Sequence, residues 1–228
     1  MALSSSQERL AAALVAMAGL LTLGVTVGFD MLPAVRAAEH CMPPDAVIRF
    51  EFARTAAELA PIFGQCPGPA IAAVDAVNRL DLALYIPAYS AFAALAAVFL
   101  GRAVRRPLVL AAIAAALGAA AADLVETTHL LRMTKDLAAA GPLLPVASSA
   151  AWMKFALLAL NAVLLAVICF TGSPRRPILG GLLLLPAAGT VILAIDLSHS
   201  VWLNIGYFAA WTPVLALALW TTIPPKRA

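Results

Sequence analysis

The sequence predicts an all-α membrane protein: a bundle of six transmembrane helices, with both termini cytoplasmic and one large outer loop between helices one and two. Three observations lead to this prediction: six apolar stretches, a low charged fraction, and arginines that recur between alternate stretches. About twenty helical residues, at about 1.5 Å each, cross a hydrocarbon core of about 30 Å. We expect a single membrane domain that covers residues 1–228.

Each apolar stretch is long enough to cross a bilayer, and composition supports this interpretation. The chain is 63% hydrophobic and 12% charged, whereas about 25% of the residues of a soluble domain are charged. Alanine and glycine within the stretches allow helices to approach closely in lipid. The predicted spans are about Leu10–Phe29, Asp81–Leu100, Pro107–Leu131, Ser148–Thr171, Ile178–Leu197 and Val201–Thr222.

The first stretch has an alternative interpretation as a cleaved signal peptide, because Val35-Arg36-Ala37 is a passable cleavage site. Signal peptides carry an apolar region of about 7–15 residues after a basic segment. Here the apolar region is about twenty residues long, and Glu8 accompanies Arg9 before it. These features favour a retained helix.

Basic residues fall between alternate spans, which predicts the orientation of the chain. Short loops rich in Lys and Arg stay in the cytoplasm. All of these positions share one side only if there are six spans, so we expect a protein of the bacterial inner membrane with cytoplasmic termini. The net charge of +3 then reflects topology and does not indicate nucleic-acid binding. The positions are Arg9, Arg102, Arg105, Arg106, Arg175, Arg176, Lys226 and Arg227.

The longest polar stretch, residues 30–79, is predicted to be an outer loop. Cys41 and Cys66 lie in it, and in an oxidising compartment such a pair forms a disulfide that contributes about 3 kcal/mol by closing the loop. Free thiols or a metal pair are the alternatives, although no neighbouring ligands complete a metal site. Cys169, deep in span four, is expected to be an inert apolar residue. The loop is thus predicted to be a disulfide-stapled lid.

Ionisable residues inside the spans are costly unless they find a partner or water. Asp123 lies sixteen residues beyond Pro107, at the inner end of its span, which places it about 24 Å from the inner face. Lys154 lies six residues beyond Ser148, at the outer end of its span, which places it about 9 Å below the outer face. Both residues are therefore at nearly the same depth. An ion pair between spans three and four is therefore feasible. Asp123, Glu126 and His129 are also spaced to form a strip on one side of span three.

These groups predict one outward-facing pocket under the loop. We expect Asp123 and Glu126 to perform acid/base chemistry, balanced by Lys154, because two close carboxyl groups in low dielectric compete for a proton. The alternative is that the residues only fix helix register or reach water at the span ends. The expected ligand-binding residues are Asp81, Tyr85, His129, Asn161, Asp196 and His199.

Other chemistries have weaker support in the sequence. His129, His199, Asp196 and Glu126 supply enough ligand types for zinc, but no HExxH or CxxC spacing is present. The same two histidines are a possible haem pair, again without a supporting motif. Nucleotide-binding and serine-nucleophile motifs are absent from the sequence. We expect no metal and no cofactor.

Three segments resemble a family of uncharacterised bacterial multi-pass membrane proteins, which implies a multi-pass fold and no known activity. They are Leu80–Tyr89 (LDLALYIPAY), Ala122–Glu126 (ADLVE) and Met153–Leu158 (MKFALL), in spans two to four. The family pattern often continues the acidic pair with Asn, where this chain has Thr127.

A looser resemblance is to the EXPERA group of sterol isomerases and sterol-binding proteins, which have fewer spans. Their first span ends in an aspartate, and a later span carries an acid above a proline. The matching positions here are Phe29-Asp30, and Asp81 with Pro87. The resemblance implies that Asp30 and Asp81 handle protons in the pocket.

Three functions are compatible with these features. The first is binding, and possible acid/base modification, of a lipid-like or small apolar ligand, with membrane lipids as partners. The second is a non-catalytic subunit or assembly factor with a protein partner in the membrane. The third is a proton- or cation-coupled transporter, against which stand the uncharged inner halves of the spans and the lack of an inverted repeat. Whether the protein is an enzyme stays open.

Overall fold

The computed structural model describes residues 5–43 and 45–223, and every regular element in that part of the chain is helical. The basic residues Lys226 and Arg227, which contribute to the predicted orientation, lie outside the described residues. The helices are α1 (Ser5–Met31), α2 (Pro33–Ala38), α3 (Ala46–Phe52), α4 (Ala60–Phe63), α5 (Pro67–Leu80), α6 (Ile86–Leu100), α7 (Arg106–Met133), α8 (Leu144–Thr171), α9 (Pro177–Leu182), α10 (Leu185–Ile195) and α11 (Ser200–Thr222).

Within the described residues, six helical segments are long and apolar enough to cross a membrane. The predicted all-α architecture and its number of spans are therefore confirmed, and the chain has the character of a multi-pass membrane protein. The segments are Ser6–Ala38, Pro67–Leu100, Arg106–Met133, Leu144–Thr171, Pro177–Ile195 and Leu197–Thr222.

The second span begins earlier than the sequence suggested, at Pro67 instead of Asp81. Polar residues such as Asp75 and Arg79 lower the hydropathy of α5, but one face of this helix is buried through Ala70 and Val74. The segment between the first two spans is correspondingly shorter, residues 39–66.

A π-helical turn, Asp81–Tyr85, joins α5 to α6. Proline has no N–H to donate, so Pro87 makes no α-helical hydrogen bond to the carbonyl four residues earlier. The N–H of the preceding residue, Ile86, donates to the carbonyl of Asp81, five residues earlier. Single π turns inside helices often occur at functional sites, and this one carries an aspartate.

The chain forms two compact units. The first comprises Met1–Thr22, Ala88–Gly118 and Ala156–Ala228, and the second comprises Leu23–Pro87 and Ala119–Phe155. Large side chains such as Phe92, Phe99 and Ile168 pack among alanines in the core of the first unit. The expectation of a single membrane domain stays a prediction.

The second unit has its own core, which includes the segment between spans one and two. Phe50 of α3 and Ile62 of α4 pack with Val74 of α5 and Leu130 of α7 in one buried cluster. The sulfur atoms of Cys41 and Cys66 lie at disulfide distance, with the two Cα atoms 5.9 Å apart. The segment is therefore folded onto its own unit and stapled, which positions the residues described next.

Candidate functional site: a buried acid–lysine cluster

The second unit holds a group of polar and ionisable side chains that we call the acid–lysine cluster. Its members come from the segment between spans one and two, from the π turn, and from α7 and α8. They contact one another directly or through one hydroxyl group. They are Glu51, Asp81, Asp123, Glu126, Thr127 and Lys154.

Lys154 of α8 lies at the centre of the cluster and is buried. Its Nζ atom is 2.8 Å from Oε2 of Glu126 and 3.3 Å from Oδ1 of Asp123. A third carboxylate reaches the same ammonium, since Oε2 of Glu51 lies 3.3 Å away. An ammonium has three N–H donors, so each donor of Lys154 has a carboxylate within reach.

The geometry of α7 explains why two of these acids face the same lysine. Residues three and four apart in a helix lie on one face, which places Asp123, Glu126 and Thr127 together. All three are buried, while Leu124 and Val125 between them are exposed at 50% and 43%. The apolar side of α7 is thus available to lipid and its polar side faces the cluster.

Thr127 connects the cluster to the π turn. Its hydroxyl donates to Oδ2 of Asp81 at 3.0 Å, and Oδ1 of Asp123 lies 3.4 Å from the same oxygen. A hydroxyl has one hydrogen to donate, so Thr127 can donate to only one of the two carboxylates. It bonds to both when the second carboxyl group is protonated and donates its own hydrogen to the Thr127 oxygen. This arrangement is suited to moving a proton between Asp81 and Asp123.

Glu51 is the cluster member that lies outside the spans, and aromatic contacts hold it in place. The neighbouring Phe52 packs against Trp152 and Phe155 of the second unit, with ring centroids 4.5 Å and 5.8 Å away. The hydroxyl of Ser148 donates to the carbonyl of Phe52 at 3.3 Å. These contacts fix the end of α3, so Glu51 is directed at Lys154.

The environment of Glu51 disfavours its ionised form. Burial raises the pKa of its carboxyl above the ordinary value of 4.5, although the ammonium of Lys154 opposes this shift. The Glu51 side chain is 12% exposed, compared with 1% for Glu126. Glu51 is therefore the part of this ion-pair network that is most open to its surroundings.

The charges of the cluster do not balance. Among the residues that the structure describes, the carboxyl groups of Glu51, Asp123 and Glu126 share the ammonium of Lys154. A fourth carboxyl group, that of Asp81, joins them through the hydroxyl of Thr127. Neighbouring like charges in low dielectric disfavour simultaneous ionisation, and uncompensated buried charge is strongly destabilising. The cluster therefore contains more carboxyl groups than its one ammonium can neutralise.

Two other predicted ligand-binding residues of this unit have local partners. Nδ1 of His129 lies 2.7 Å from the carbonyl of Val125, so this histidine bonds to its own helix. Tyr85 belongs to the π turn, and its ring meets the edge of Phe29 with centroids 5.3 Å apart. Asp30, the acid implied by the EXPERA resemblance, is exposed.

The remaining predicted residues belong to the first unit. Nδ2 of Asn161 donates to the carbonyl of Ala112 at 2.8 Å, which joins α8 to α7. Nδ1 of His199 lies 3.3 Å from Oδ2 of Asp196, and both side chains are 52% exposed. The backbone N–H of Ser198 lowers the pKa of Asp196, consistent with a carboxylate that caps a short turn.

Sequence reasoning found the buried acids and the lysine but missed Glu51 and Thr127 as their partners. The sequence does contain a signal for Glu51: it lies between Phe50 and Phe52 in a short helix, and both aromatic residues are buried. Thr127 follows the acidic pair directly, at the spacing that places it on the face of Asp123. Thr127 is uncharged and Glu51 lies outside the spans. A search for charged residues within spans therefore finds neither.

The described residues include no group of three or more His, Cys, Asp or Glu side chains arranged to hold a metal ion. An ammonium occupies the position where the acids converge. No protein-family model matches the chain, and no curated protein or solved structure is significantly similar to it.

Proposed function

We propose that the acid–lysine cluster is a proton-handling site that binds a lipid-like or small apolar molecule and acts on it by acid/base chemistry. One observation carries this proposal: three carboxyl groups contact one buried ammonium, and a fourth joins them through the hydroxyl of Thr127. A positioned carboxyl group that holds a proton is the requirement for general acid catalysis. The excess of acids over bases provides such a proton.

Asp81 is the group that we assign to contact with the ligand. It is partly exposed, and Leu84, three residues later in the same π turn, is 44% exposed. A molecule dissolved in the hydrocarbon core can therefore reach the Asp81 carboxyl without entering the centre of the cluster. Thr127 and Asp123, on the side of Asp81 that faces the cluster, then supply a proton to Asp81 or remove one from it.

We also propose that the protein resides in a bacterial inner membrane with both termini in the cytoplasm. The support is the distribution of arginines between alternate spans. In this orientation Glu51 and the stapled segment face the periplasm, where a disulfide persists. Membrane lipids surround the exposed apolar side chains and include the candidate ligands.

The experiment compares the wild-type protein with Asp123→Asn/Glu126→Gln. Both proteins are purified in mild detergent, and small apolar molecules that remain bound are extracted and identified by mass spectrometry. Infrared spectroscopy of the same samples measures the band of protonated carboxyl groups. We expect the wild type alone to retain a specific molecule, and the variant to lose part of the carboxyl band.

Glu39→Gln, an exposed change in the same unit, is the matched control and should behave as the wild type. Helical circular dichroism and a monodisperse elution profile establish that each variant is folded. If the folded double variant retains the same molecule in the same amount, the cluster is not the site. A stoichiometric protein partner in place of a small molecule would instead support an accessory subunit.

The acid excess also supports proton-coupled transport as a second candidate. In that case, purified protein in liposomes dissipates an imposed pH gradient, and Asp123→Asn/Glu126→Gln abolishes the effect. A binding or catalytic site leaves the gradient unchanged. The two candidates therefore differ in a single measurement.

A further inference from the structure

We propose that the first unit carries a separate binding site for an anionic phospholipid, in an apolar groove that ends at Arg175 and Arg176. The groove has a volume of about 350 Å³ and lies between α9 and α11. This proposal is independent of the acid–lysine cluster, because every residue involved belongs to the first unit.

The walls of the groove are apolar and come from two helices. Ile178 and Leu182 of α9 face Pro213 and Leu217 of α11 across it. Pro213 lies in the interior of α11. The volume is at the lower end of the range for ligand sites, about 300–1,000 Å³. Such a groove is suited to an unbranched acyl chain.

Two arginines lie at the end of the groove where α9 begins. Arg176 forms part of its lining, and its backbone N–H donates to the carbonyl of Cys169 at 2.9 Å, which fixes the start of α9. Arg175 is exposed beside it. Within residues 5–43 and 45–223, neither guanidinium has a carboxylate at ion-pair distance, whereas Arg102 lies 2.6 Å from Glu8. The two groups are thus available to an anion.

Other arginines lie at the same end of this unit. The loop after α6 passes close to the end of α8, since a Cβ on Gly172 would be 3.2 Å from Val104. That loop carries Arg105, and Arg106 begins α7 directly after it; both are exposed. Basic pockets between transmembrane helices are typical binding sites for anionic lipid head groups.

The combination of groove and arginines selects a phospholipid as the occupant. A guanidinium binds a phosphate through two parallel N–H donors, and the groove buries the apolar chain of the same molecule. A free phosphate ion would use the arginines and leave the groove unfilled. We therefore assign a lipid with a phosphate head group and net negative charge, such as phosphatidylglycerol.

The test is lipid binding to the purified full-length protein, measured by native mass spectrometry during titration with phosphatidylglycerol or phosphatidylcholine. We expect phosphatidylglycerol to bind more tightly to the wild type. Arg176→Gln should weaken its binding about fivefold, the effect of one basic residue near anionic lipid. Leu217→Trp should weaken it as well, because the indole fills the groove while the charges remain.

Two matched controls separate this site from general charge and surface effects. Arg132→Gln removes one exposed charge of the second unit, and Leu219→Trp enlarges an exposed side chain on α11 that does not line the groove. Both should bind phosphatidylglycerol as the wild type does. Equal affinity of the wild type for the two lipids would overturn the proposal. So would equal losses in Arg176→Gln and Arg132→Gln, or unchanged binding by Leu217→Trp.

Discussion

At the scale of single residues, Lys154 determines whether the acids of the cluster can stay together. We expect Lys154→Met, which is shorter by one atom and removes the charge, to lower the free energy of unfolding by about 3–5 kcal/mol. The reason is that Glu51, Asp123 and Glu126 would lose their common ion-pair partner. The measurement is unfolding in mixed micelles, followed by circular dichroism.

Two further variants make this result specific. Lys135→Met removes an exposed lysine of the same unit and should change the free energy of unfolding by less than about 0.5 kcal/mol. Adding Glu126→Gln to Lys154→Met should recover part of the loss, because one uncompensated charge is removed. If Lys154→Met is as stable as Lys135→Met, the cluster is not held together by its lysine.

Glu51 gives the second prediction, a pH dependence of stability. Its pKa in the folded protein is raised above 4.5 by burial. The folded state therefore binds the proton more tightly than the unfolded state, and the resulting stabilisation is lost as the pH rises through the folded pKa. Glu51→Gln cannot ionise, so its free energy of unfolding should rise relative to that of the wild type as the pH increases above 4.5.

The control for this prediction is Glu39→Gln, an exposed change in the segment between the first two spans. Its unfolding free energy should run parallel to that of the wild type across the same pH range. The prediction is wrong if the unfolding free energy of the wild type rises relative to that of Glu51→Gln as the pH increases. In that case attraction to Lys154 affects the pKa of Glu51 more than burial does.

The residue scale also shows what the sequence could and could not predict about the site. Asp123, Glu126 and Lys154 were predicted because charges within apolar spans are costly and their depth follows from helical rise. Glu51 was not, because its position depends on tertiary packing of Phe50 and Phe52. Local spacing cannot predict which loop residue a folded segment directs at a span.

At the scale of elements, a close helix–helix approach between α10 and α11 depends on glycine. A Cβ on Gly189 would lie 2.9 Å from both the Cα of Leu203 and the carbonyl oxygen of Trp202. Because these are backbone atoms, a clash cannot be relieved by a side-chain rotation. We expect Gly189→Ala to lower the free energy of unfolding by about 1–3 kcal/mol, measured in mixed micelles.

Gly181 provides the matched control, since a Cβ at that position would meet no atom within 4 Å. Gly181→Ala should be neutral or slightly stabilising, because alanine is the better helix former by about 0.5–1 kcal/mol. Equal losses in the two variants would mean that helix propensity, and not the approach of α11, controls stability here.

Elements were predictable where hydropathy alone defines them, and less so where it does not. Four of the predicted spans begin and end within a few residues of α7, α8, the α9–α10 pair and α11. The start of the second span was missed because Asp75, Asn78 and Arg79 give α5 the composition of a loop. Hydropathy does not predict the π turn at Asp81 either.

At the scale of the whole molecule, the two compact units divide four helices between them. α1, α6, α7 and α8 each contribute residues to both units. A continuous apolar span contains no composition change at such a boundary, so hydropathy offers no signal for it. The acid–lysine cluster and the lipid groove nevertheless fall in different units, so each can be tested by variants of its own unit.

The orientation of the chain is the last prediction and follows from the distribution of arginines. In a Cys169→Ala background, Lys135→Cys and Arg105→Cys place one reactive thiol in the loop after α7 or after α6, and both positions are exposed. A membrane-impermeant thiol reagent added to intact spheroplasts should label Lys135→Cys, and label Arg105→Cys only after permeabilisation. The background protein, whose two remaining cysteines are paired, should stay unlabelled in both conditions. The reverse pattern would place the arginine-rich loops outside, and Glu51 and its disulfide-stapled segment would then face the cytoplasm, which is a reducing compartment.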